Sequence, residues 1–69
     1  MNKVPTISYA ITVCNESSEL NRLLLHLTPY IQSGDEVIVQ ADLNHVTDEV
    51  KSVVQQHKSI ITTYAEYSL

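Results

Sequence analysis

The apolar residues of this chain first recur with a period of two. Ile7, Tyr9, Ile11 and Val13 share one parity and Ser8, Ala10 and Thr12 the other. Successive side chains on an extended backbone point to opposite sides, so the spacing predicts a strand with one apolar face over Ile7 to Val13. Met1 to Thr6 read as a short lead-in in which Pro5 sets an extended approach. The period then lengthens. Leu20, Leu23, Leu24, Leu27 and Ile31 fall on one helical face. Asn15, Glu16, Ser17 and Ser18 precede them with capping oxygens and early negative charge. Pro29 cannot donate to the carbonyl four residues back, so the helix is expected to kink or end there, with Gly34 reversing the chain.

Glu36 to Ala41 carries apolar, β-branched residues on both parities, the pattern of an inner parallel strand covered on two faces. Val46, Val50, Val53, Val54 and His57 share a second helical face, with Asn44 or Thr47 as its cap and Asp48 and Glu49 in its first turn. Ser59 to Tyr64 reads as a third strand. The alternation β-α-β-α-β predicts an α/β fold: one parallel three-stranded, Rossmann-like unit spanning residues 1–69. Two strand orders remain open. The order 3-2-1 puts both helices on one face and leaves the other face of the second strand bare, a unit expected to be part of a longer domain. The order 2-1-3 puts the helices on opposite faces, as a small self-contained domain would.

Composition narrows the class. The chain is 43% apolar and 17% charged, which is globular. Net charge is −4, and Lys3, Arg22, Lys51 and Lys58 are scattered instead of forming a stripe that could neutralise successive phosphates, so nucleic acid is not an expected partner. A single cysteine, Cys14, permits no internal disulfide and fits a reducing compartment. The run from Ile7 to Val13 is too short to span a bilayer and no cleavage site follows it. The expectation is a cytoplasmic protein without a transmembrane segment.

Ligands of open parallel sheets bind beyond the C-terminal ends of the strands, which directs attention to Val13 to Ser17 and Ala41 to His45. The first segment has no glycine, and the only glycine, Gly34, stands at the wrong end of a helix for a phosphate loop. Both the dinucleotide fingerprint and the P-loop are thereby excluded. Thr12-Val13-Cys14-Asn15-Glu16 faces Asp42-Leu43-Asn44 across adjacent strand ends. A nucleobase held there needs an acceptor for its ring N–H, a role that suits Asp42, and an apolar wall, which the rim near Cys14 would supply. Asp42 equally suits a turn, and Glu16 a first-turn helix charge.

Ile7 to Glu16, a leucine-rich helix, and Asp35 to Asp42 together resemble the start of the family 2 glycosyltransferases of GT-A fold, over nearly the whole chain. In that family the first strand ends in an aromatic residue followed by Asn-Glu, and the second in Asp-Asp followed by Gly-Ser. The resemblance implies that Thr12, Cys14 and Glu16 contact the nucleotide and that Asp42 accepts from its base. It implies a nucleoside-diphosphate sugar donor and a divalent metal, Mn or Mg, which neutralises the leaving diphosphate, while a carboxylate deprotonates the acceptor hydroxyl. The chain departs from the family at Cys14 for the aromatic, Ala41 for the first aspartate and Leu43-Asn44 for Gly-Ser. No Asp-X-Asp motif, paired carboxylates or catalytic base is found here, so metal ligands and catalytic residues are expected in the remainder of the domain.

Three other readings compete. Cys14 could be a nucleophile with His45 as its base, His26 and His57 being surface or boundary side chains on the helices. The alternation also fits a non-catalytic flavodoxin-like binding module, although only Glu16 stands near the first strand where such modules carry an acidic pair. The third is a non-functional gene remnant.

Overall fold

The computed structural model describes residues 6–68, and Met1 to Pro5 of the lead-in lie outside them. The elements run β1 (Ser8–Val13), α1 (Ser17–Leu27), a 3₁₀ turn (Thr28–Tyr30), β2 (Glu36–Asp42), α2 (Asp48–Gln56) and β3 (Thr63–Tyr67). The α/β character and the parallel sheet read from the sequence are both present. The sheet order is β1-β2-β3, with Ser8 opposite Glu36, Val13 opposite Ala41 and Asp42 opposite Tyr67. This settles the topology as 3-2-1, with β2 in the middle, and not the 2-1-3 order of flavodoxin-like modules.

Both helices cover one face. Leu20 and Leu24 of α1 and Val50, Val53 and Val54 of α2 form a single buried cluster with Val13, Val37, Val39 and Ala41, one parity of the sheet. Leu24, Val37, Val39 and Val50 are fully buried, each side chain contributing about 1.5–3 kcal/mol by leaving water. On the other parity Ser8, Ala10, Thr12 and Glu36 are exposed and Ile38 and Gln40 half-buried. The expectation that β2 is covered on two faces is corrected: among the described residues only the helix face is covered, and Ile38 is the only large apolar side chain β2 places on the other.

Local boundaries follow backbone chemistry. Helix α1 closes with Thr28 donating from both its N–H and its Oγ1 to the Leu24 carbonyl, and Pro29 tightens the next turn to 3₁₀. Ile31, read as the last residue of the helical stripe, therefore lies beyond the helix, yet still packs on the core. Asp35 then ties the reversal together by accepting from Gln32 N at 2.9 Å and Ile7 N at 3.0 Å. Gly34 adopts φ +93°, a left-handed geometry that a Cβ would strain, and an added Cβ would stand 3.1 Å from Thr6 Cγ2.

The third strand is the larger correction. Ile60 and Ile61 are not in it. Both donate their N–H to His57 O, closing the turn after α2, and their side chains plug the base of the core. Pairing starts only where Thr62 N reaches Val37 O at 2.8 Å, so β3 runs to Tyr67. An apolar pair that fills a loop and one that fills a strand look alike in sequence.

Candidate functional site

The C-terminal ends of β1 and β2 stand side by side, since Val13 pairs with Ala41 and the next residues on each strand are Cys14 and Asp42. Thr12 is exposed one step below, opposite Gln40. The four residues read as nucleotide contacts, Thr12, Cys14, Glu16 and Asp42, thus share one rim of the sheet, as the parallel pairing requires.

Glu16 holds the first loop in shape. Its Oε1 accepts from the N–H groups of Cys14 and Asn15, both at 2.8 Å. These donors, Cys14 before Asn15, favour the charged form and keep the Glu16 carboxyl below the usual glutamate range. Glu16 is also the N-cap residue of α1, but its side chain turns back into the loop, and no side chain caps this helix. The capping read for residues 15 to 18 is corrected accordingly: Glu16 satisfies loop amides instead. In α2 the cap is Thr47, which accepts from Val50 N at 3.3 Å.

Asp42 is buried, with 7% of its surface accessible. Its Oδ1 accepts from Asn44 N at 3.1 Å, and its Oδ2 lies 2.6 Å from Nδ1 of the exposed His45. A carboxylate only accepts, so His45 Nδ1–H donates, and Nε2 is the ring atom left for other partners. This partnership escaped the sequence reading. The signal available was Asp-x-x-His beginning on the last residue of a strand, where a tight turn returns the fourth residue to the first, as the His45 N to Asp42 O bond of 3.0 Å shows. Cys14, half-buried with a free thiol, shares no hydrogen bond with His45, so the nucleophile and base reading gains no geometric support. His26 is exposed in the last turn of α1. His57 bridges the helices, its Nε2 2.8 Å from Asn21 Oδ1.

Two apolar side chains also reach this end of the sheet. Tyr67 pairs with Asp42 and is 50% exposed, and Leu43, 52% exposed, donates its N–H to Tyr67 O. Leu43 entered the sequence reading as a departure from Gly-Ser, and Tyr67 not at all, because the third strand was placed too early to bring it alongside Asp42. Among the described residues no three His, Cys, Asp or Glu side chains converge as metal ligands would. The divalent ion implied by the resemblance therefore finds no fitting donor set among them, and no helix among them is long and apolar enough to cross a membrane.

The fold is thus that of a small Rossmann-like β-α-β-α-β unit. Comparison with protein-family models, curated proteins and solved structures found no match to this chain.

Proposed function

We propose that this chain is the nucleotide-binding, N-terminal part of a glycosyltransferase that takes its sugar from a nucleoside-diphosphate donor, with Thr12, Cys14, Glu16 and Asp42 on the base and ribose side. The observation that carries the reading is the adjacency of β1 and β2. It sets the two motif segments at one strand-end rim, where open parallel sheets bind ligands. Tyr67 supplies the ring that Cys14 lacks, since it neighbours Asp42 on the next strand and is exposed enough to stack on a base. In this arrangement Asp42 carries His45 with it, and a base N–H directed at Asp42 Oδ2 would exchange with the imidazole. The metal and the group that activates the acceptor belong to the remainder of the domain and to a cytoplasmic enzyme.

The test is an amide NMR titration of the labelled chain with uridine, guanosine, cytidine, adenosine and thymidine diphosphates. One of them is expected to shift Thr12, Cys14, Glu16 and the segment 42–45 together, and Asp42→Ala to abolish those shifts in a protein that still gives a folded spectrum. No shifts at several millimolar of any diphosphate, or shifts centred on the groove that Ser17, Asn21, Ser52 and Gln56 line between α1 and α2, would overturn the reading.

A further inference from the structure

The two edges of the sheet are unlike. β3 carries Glu66, which accepts from Tyr64 Oη at 2.8 Å and meets Lys51 Nζ at 3.8 Å. β1 is six residues long, contains no charged side chain, and among the described residues pairs only with β2. Because Glu36 N donates to Ile7 O, the odd-numbered residues of β1 turn their backbone groups toward β2. By alternation Ser8, Ala10 and Thr12 present their N–H and C=O groups outward. Natural sheets usually protect such an edge with charge, proline or a bulge, and an unprotected one is a template for another strand.

Beside that edge lies a groove of about 100 Å³ lined by Ile11, Thr12, Val13, Glu16, Glu19, Leu20 and Leu23, with room for one aliphatic side chain. Ile7 is 48% and Leu23 44% exposed, so apolar surface runs on from the groove along the strand. Charge selects the occupant. Glu16 and Glu19 stand at the C-terminal end of β1, neither paired with a cation among the described residues. Asp35 and Glu36 stand at its other end. A second copy laid antiparallel would set Glu16 and Glu19 of each chain against Asp35 and Glu36 of the other, and laid parallel would set like against like. Self-pairing is therefore opposed at both ends.

We infer that the β1 edge docks an extended, cationic peptide strand of a partner polypeptide, whose backbone pairs with Ser8, Ala10 and Thr12. One aliphatic side chain enters the groove at Ile11 and Leu23, and lysine or arginine residues at the strand ends meet Glu19 and Glu36.

The probe is a capped heptapeptide alternating valine and threonine between terminal lysines, with a glutamate-ended version as control, read by amide hydrogen exchange of the full chain. At peptide tenfold above its Kd, exchange of the Ser8, Ala10 and Thr12 amides is expected to slow by about tenfold, with no effect from the control. Leu23→Lys, at a half-exposed position whose folding circular dichroism would verify, is expected to abolish the protection. The inference is overturned if neither peptide protects β1, if both protect it equally, if protection appears on Thr63 to Tyr67 instead, or if Leu23→Lys binds as well as the parent. Protection of the same amides that grows with protein concentration alone would assign the edge to a second copy and equally overturn it.

Discussion

Asp42 Oδ2 and His45 Nδ1 are 2.6 Å apart, yet the Asp42 side chain is 10% accessible and that of His45 68%. The pair is therefore asymmetric in energy. Asp42 sits where unmet hydrogen-bonding capacity is costly, whereas His45 is restored to water at little cost when the contact breaks.

Substitution should expose that asymmetry. Asp42→Ala removes the buried acceptor and leaves the donors of the exposed Asn44 and His45 to water, which can satisfy them, and is expected to cost about 1 kcal/mol. His45→Ala takes a donor from the buried Asp42 Oδ2 and should cost more, about 1–3 kcal/mol. Urea denaturation of both variants checks the order, and equal losses would mean that the pair, and not the burial of Asp42, sets the cost.

Glu16 gives a loop that depends on acid. Its carboxyl is held low by the Cys14 and Asn15 amides, so its contribution is present above the unfolded glutamate range and lost as pH falls through its folded value. The amide shifts of Cys14 and Asn15 should titrate together, with a midpoint below that of an ordinary glutamate. In Glu16→Gln, which keeps an accepting oxygen, that titration should vanish while the loop persists. Amide NMR between neutral and acid pH decides it.

Tyr64 gives the alkaline counterpart. Burial first, and then the hydrogen bond to Glu66 and its charge, push the phenol up to about 12. A raised value favours the neutral form, so this contribution is complete below the unfolded tyrosine value of 10.0 and is lost as pH climbs toward 12. Ultraviolet titration should show a phenol ionising near 12 that is missing in Tyr64→Phe. Glu66→Gln should lower that midpoint by removing the neighbouring charge.

The candidate site was legible in part. Thr12, Cys14, Glu16 and Asp42 were placed at one rim because strand ends in a parallel α/β unit must stand together. Their partners were not read. The return of Glu16 to the two amides before it depends on the bend after β1, and the capture of His45 by Asp42 on the turn after β2. Tyr67 lay hidden behind Ile60 and Ile61, whose apolar, β-branched character imitates a strand while they serve as a plug.

The sequence by itself determined the alternation of elements, the helix-facing parity of β1, the leucine and valine faces of the two helices, and the reversal at Gly34. Each is a local matter of period, capping or backbone freedom. Only the tertiary structure decided the strand order, the single covered face, the late start of β3 and the open edge of β1. Those depend on which strands exchange hydrogen bonds, and every backbone in a parallel sheet offers the same donors and acceptors. The choice falls instead to the packing of both helices over Val37, Val39 and Ala41, a collective property that no short segment encodes.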